Sequence, residues 1–245
     1  MIIINKIIIK YFVLYIKYMN IYLQIIIGFF LADIIGGFLH WIEDRYIHYC
    51  TNIPFIKNIA EDNELHHYFP RTILASTYIE NIKNSTIIAF IGIIIIFIIN
   101  KSFVIKYIYL FISLFFFSSI MNIIHRFSHM RDCENNYLLK CLQKVGLIIT
   151  HEYHAEHHEK ANLKYCVLTI YTNFILDSLH FWGGLEYILS IFGIKPKPYA
   201  RYDSYHSIHD YRHINNKLKC PDKPTKKDIK ELKIKLKEYK KCKTF

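Results

Sequence analysis

Four of the eight residues in H-E-Y-H-A-E-H-H, residues 151–158, are histidines. Neutral imidazole is a lone-pair donor that suits iron, zinc, copper and nickel, so its concentration here indicates a transition metal without choosing among them. On a helix, His151, His154 and His158 recur at i, i+3 and i+7 and line one face, with His157 one position to the side. A solvated polar face would explain this octapeptide equally well, so the other clusters decide. His40 and Asp44 stand four residues apart, as do His125 and His129, and each pair shares a helical face. His66 and His67 are adjacent in E-D-N-E-L-H-H-Y-F-P, a stretch that reads as loop. Eight histidines (His40, His66, His67, His125, His129, His154, His157 and His158) plus Asp44 exceed what one ion needs. Two metal ions would use them.

The elements that must position these groups belong to a very apolar chain that nevertheless carries 31 Lys and Arg. Residues 195–245 hold 16 of those cations against 6 Asp or Glu, a balance of +10 out of the whole chain's +11. The split describes a membrane body with a basic tail. A nucleic-acid binder would build its basic face into the fold. Three regions follow: an interfacial or spanning apolar helix at 1–19, a membrane domain at 20–193 and a basic tail at 194–245. The apolar N-terminal run is interrupted by Lys6, Lys10 and Lys17 and lacks a small-residue cleavage site, so it does not read as a cleavable signal peptide. The six cysteines include no C-x-x-C and no paired spacing, and they read as reduced thiols.

Residues 20–42 are long enough to cross a bilayer core of ~30 Å. Asp33, Gly37, His40 and Asp44 fall within about 60° of one another on that helix, and such a stripe must face protein or water. Residues 86–124 form two more spans joined by a turn near Asn100. Residues 130–150 read as an amphipathic connector, and residues 163–193 as interfacial or re-entrant helices covering the site. With this topology all four clusters emerge on one membrane face, together with the basic tail, and the positive-inside rule makes that face cytosolic. The fold class is all-α: an integral membrane helical bundle with a histidine-rich metal site on its cytosolic face. His206, His209 and His213 sit in strongly polar sequence and read as surface residues, whereas His151 and His180 stand near the site.

The pieces A-D-I-I-G-G-F-L-H-W-I-E-D, H-H-Y-F-P-R-T-I, H-R-F-S-H, H-A-E-H-H and F-W-G-G-L-E with the following G-I-K-P carry a resemblance that covers roughly residues 30–203. Together they resemble the membrane lipid desaturases that include plasmanylethanolamine desaturase, its bacterial carotenoid-regulating relative and plant plastid phosphatidylglycerol desaturase. Pro-x-Thr-Ile at Pro70 to Ile73 is closer to the plant branch. The resemblance implies a di-iron centre of two iron ions on the nine residues named above, acting with O₂ on the alkyl or acyl chain of a phospholipid. It implies electrons from a b-type cytochrome or ferredoxin and a location in the endoplasmic reticulum. A lipid hydroxylase with the same centre shares the first hydrogen abstraction and stays open. A metal transporter would spread its ligands through the membrane depth, and a structural adaptor leaves the i, i+4 pairs unexplained.

Overall fold

The computed structural model describes residues 21–160, 162–197 and 223–239. Every regular element among them is helical, and three helices are long and apolar enough to cross a membrane: α1 (Ile21–Tyr46), α3 (Tyr78–Ile99) and α5 (Ile108–Ser128). α1 and α5 form the packed pair. Their backbones approach closely at Gly28, where a Cβ would stand 2.6 Å from the Leu110 carbonyl, and Ser113 Oγ donates to the Ile25 carbonyl at 2.7 Å. α3 lies against the outer side of α5 and is tied there by Ser85 Oγ donating to the Ser119 carbonyl at 2.9 Å. The interior between them is apolar, with Ala32, Val104, Phe111, Leu114, Ile124 and Leu168 buried.

The first span takes its expected place, and the hairpin forms with one refinement. Between α3 and α5 the chain makes a short helix, α4 (Lys101–Lys106), whose first turn is capped by Asn100 accepting from Phe103 N. α3 begins at Tyr78, ahead of the apolar run that opens at Thr86, because a capping box starts it: Glu80 N donates to Thr77 Oγ1, and Thr77 N to Glu80 Oε2. The stretch read as loop between the first two spans instead contains a helix, α2 (Pro54–Tyr68), followed by a 3-10 turn at Pro70–Ala75. Pro54 supplies the preset first position. The polar face of α2 is buried because its side chains find partners, which no hydropathy pattern reveals.

After α5 come α6 (Tyr137–Lys144), capped by Asn136, and α7 (His151–Glu159), capped by Thr150. The next two helices, α8 (Ile170–Ser178) and α9 (Phe181–Ile191), have 9 and 11 residues. At 1.5 Å per residue they reach only about half of a ~30 Å core. Their outward side chains are nevertheless large and apolar, Phe174, Leu179 and Ile191 among them. Trp182 and Leu176 turn inward onto Trp41 and Tyr165.

Within the basic tail the segment α10 (Lys226–Tyr239) docks one side on protein. Leu236 is fully buried against Tyr49 and Leu65, while Lys233 meets Asp62 at 2.8 Å and Lys226 meets Glu80 at 2.7 Å. The expectation of reduced thiols fails in part: Cys50 and Cys133 are each disulfide-bonded, whereas Cys141 and Cys166 are free. Spacing along the chain cannot show such long-range pairing. The expectations for residues 1–19 and for His206, His209 and His213 fall outside the described residues.

Candidate metal centre

The ends of α1, α2 and α5 meet beside α7, and each delivers side chains to one place. All nine residues singled out in the sequence gather there, in two groups. His66, His125, His129, His154 and His158 form one, and His40, Asp44, His67 and His157 form the other; within each group one ligand atom per residue lies within 4.8 Å of all the others. The groups adjoin, with the His67 and His158 rings 4.7 Å apart and the His40 and His125 rings 5.7 Å apart.

Helical geometry sorts the residues. Side chains four apart share a face, so His40 with Asp44, His125 with His129, and His154 with His158 each stay within one group. Neighbours diverge by about 100° around the axis, so His66 and His67 part to different groups, as do His157 and His158. The adjacent pairs are therefore the hinges between two subsites.

Donor chemistry and spacing fit metal ions. In the five-histidine group the Nε2 atoms converge: His129 to His125 at 3.1 Å, His125 to His154 at 2.8 Å and His154 to His158 at 3.2 Å. Nitrogen ligands at ~2.1 Å from a metal lie about 3 Å apart when at right angles. Burial, reinforced by neighbouring imidazoles, holds His66, His129, His154 and His158 well below the usual histidine range, so their lone pairs are free at neutral pH. His66 Nε2 and His154 Nδ1 are buried with no hydrogen-bond partner, a cost that a bound cation at the first of them would remove.

The second group includes a carboxylate. Asp44 is buried; its Oδ1 accepts from Asn63 Nδ2 at 2.9 Å and lies 2.9 Å from His67 Nε2. Its Oδ2 is 3.2 Å from His157 Nε2 and 3.6 Å from His40 Nε2. His40 Nδ1 donates to the Tyr165 carbonyl at 2.9 Å and His157 Nδ1 to the Leu163 carbonyl at 2.7 Å, which leaves both Nε2 atoms as acceptors turned toward Asp44. Backbone carbonyls thus set tautomer and ring orientation together.

The surrounding framework is ionic and buried. Arg45 pairs with Glu186 at 2.6 Å and ties α9 to the end of α1, while Arg71 pairs with Glu134 at 2.9 Å beside His129. Asp33, the deep carboxylate of α1, accepts from Leu168 N at 2.8 Å and Thr169 N at 3.3 Å and so satisfies a buried irregular segment. His151 joins neither group; its Nδ1 donates to the Ser128 carbonyl at 3.1 Å. His180 is exposed, at a left-handed turn with φ 52°, and is not part of the cluster. Asn63, Asn173 and the carbonyls of residues 163 and 165 were not anticipated. Asn63 lies four residues before His67, so reading 54–68 as a helix would have found it; the others depend on tertiary contacts.

The family model for the lipid desaturase domain matches residues 29–198 of this chain. The chain belongs to the lipid desaturase domain family. Its similarity to a probable fatty acid desaturase of Acanthamoeba polyphaga mimivirus is 30% identity over 181 residues, 72% of this chain and 86% of that protein. With the chloroplastic fatty acid desaturase 4-like 2 of Arabidopsis thaliana it shares 27% over 180 residues, 71% of this chain and 61% of the relative. The plasmanylethanolamine desaturase of Myxococcus xanthus is likewise 27% identical, over 173 residues, 68% of this chain and 59% of the relative. The chain spans about three fifths of those two proteins. No solved structure matches it.

Proposed function

We propose that this protein is an O₂-dependent lipid desaturase whose two groups of side chains each hold one iron ion. The observation that carries the reading is the pair of adjoining groups, eight imidazoles and one carboxylate, at the end of an apolar bundle in a chain of the lipid desaturase family. Bound iron would supply the oxidising power to remove two hydrogens from neighbouring carbons, with O₂ and two electrons and two protons yielding two waters. The protein's own residues do the rest. Neutral imidazoles and Asp44 bind the ions, backbone carbonyls fix the rings, and α8 and α9 cover the site and exclude water from it. The electrons come from a b-type cytochrome or ferredoxin.

Depth along the spans indicates which bond reacts. From Ile21 to His40 is ~29 Å of helix and from Ile108 to His125 ~26 Å, so the ligands stand at the boundary of a ~30 Å hydrocarbon core. A phospholipid chain reaching them presents the carbons next to its ester or ether linkage. Ligands gathered at that one level also argue against an ion path. The basic tail favours the cytosolic face, and in a eukaryotic cell the endoplasmic reticulum; the disulfide-bonded Cys50 and Cys133 stand at the same end of the spans and favour oxidising surroundings. Membrane-impermeant labelling of Lys101→Cys and Lys235→Cys decides: opposite sides are expected, with residue 235 cytosolic.

The test of the reaction is lipid mass spectrometry of cells with and without the protein. A phospholipid species lighter by two hydrogens, with the double bond next to the linkage, is expected. Accumulation of a hydroxylated chain would replace the reading with hydroxylation.

A further inference from the structure

The two groups are built differently, and the difference lies in a turn that contributes no ligand. Leu163 and Tyr165 flank Lys164, which takes a left-handed conformation at φ 59°. A non-glycine residue there is strained, and the conformation persists only if the surroundings hold it. The consequence of the turn is that the carbonyls of residues 163 and 165 reach His157 on α7 and His40 on α1, two helices from distant parts of the chain. The turn is held from behind by Asn173 of α8, which is fully buried. Its Oδ1 accepts from Cys166 N at 2.9 Å and its Nδ2 donates to the Cys166 carbonyl at 2.7 Å, so one amide satisfies both backbone groups of that residue. Asp177, one turn further along α8, accepts from Lys164 N at 3.3 Å. Room for this segment comes from Gly37, where a Cβ would stand 2.6 Å from Cys166 Sγ and 3.2 Å from its Cα.

The five-histidine group has no equivalent at His154, whose Nδ1 is buried without a hydrogen-bond partner, as is His67 Nδ1 in the other group, and whose ring meets only neighbouring imidazoles such as His125 at 2.8 Å rather than a backbone carbonyl. It also has no carboxylate. Pre-oriented rings lose less freedom on binding a cation, and a buried carboxylate adds charge attraction. We propose that the turn at residues 163–165, latched by Asn173, is a positioning device that makes the His40, Asp44, His67 and His157 group the tighter of two metal subsites. This rests on the two-metal reading above. Asn173 is a positioning residue: it touches neither metal nor substrate and acts through His40 and His157.

The test is titration of the full-length, metal-free protein in nanodiscs with cobalt(II), followed by its visible absorption. Two resolved binding steps are expected, the tight one removed by Asp44→Ala and the weak one by His129→Ala. Asn173→Ala should weaken the tight step by about 10- to 100-fold and leave the weak step unchanged. Asn173→Asp, which keeps the acceptor for Cys166 N, should show a smaller loss confined to the same step and serves if the alanine variant does not fold. Equal weakening of both steps, or none, would overturn the positioning role, and two indistinguishable steps in the wild type would overturn the inequivalence. Uptake of only one ion in total would instead overturn the two-metal reading itself.

Discussion

α1 and α3 pass the same length and composition test for crossing a membrane, yet 39% of the apolar window of α1 is buried inside the protein and none of that of α3. From Ile87 onward α3 is almost entirely apolar, with Ile93 and Ile96 against the core and the rest turned outward; it delivers no residue to either ligand group. In α1 the apolar run is broken by Gly28, Asp33, Gly36, Gly37, His40 and Asp44. Each break has a partner: α5 at Gly28 and Gly36, the buried segment at Asp33 and Gly37, and the candidate metal site at His40 and Asp44. Apolar length places a helix in the membrane. The polar and small interruptions decide what it touches there.

The largest effect should come from removing an imidazole. His158→Ala or His125→Ala should abolish desaturated product and lower bound iron, while Ile95→Ala on the lipid-facing side of α3 should leave both near wild type. Quantifying product and iron in the same membranes checks this, and full activity in His158→Ala would show that the wrong histidines have been assigned. A smaller contrast is available at two glycines. Gly37→Ala forces a Cβ onto the backbone of Cys166 and should cost about 1–3 kcal/mol with a clear fall in activity. Gly92→Ala on α3 meets nothing within 4 Å and should change stability by less than about 1 kcal/mol. A Gly37→Ala protein as stable and active as Gly92→Ala would remove the close-packing argument.

Acid should act on the site and spare the lipid-facing helix. His66, His154 and His158 have folded pKa values held well below the unfolded value near 6.5, so below that pH the unfolded chain takes up protons that the folded one refuses. Their contribution to stability is complete above about pH 6.5 and is lost as the pH falls beneath it. Thermal melts of metal-free protein at pH 7.5 and 5.5 should show the lower midpoint in acid, with the loss reduced in His154→Gln. An unchanged midpoint would mean that these rings are not buried neutral.

Much of this was legible because the informative residues break strong local patterns. Charged and imidazole side chains inside apolar runs located His40, Asp44, His125 and His129, and four-residue spacing told which of them act together. The division of His66 from His67 and of His157 from His158 needed helices to be assigned, and α2 was hidden because its buried face is polar. Asn63 and Asn173 satisfy buried groups through contacts that local sequence does not encode. The docking of α10 was obscured by its lysines: Leu236 is the residue that anchors it, and six lysines surround it between 226 and 237.

The central claim is that the two groups hold two metal ions, and metal analysis after anaerobic iron loading of the purified protein addresses it most directly. Two irons per chain are expected, falling to one in Asp44→Ala. Stable binding of a single zinc with no iron would contradict it.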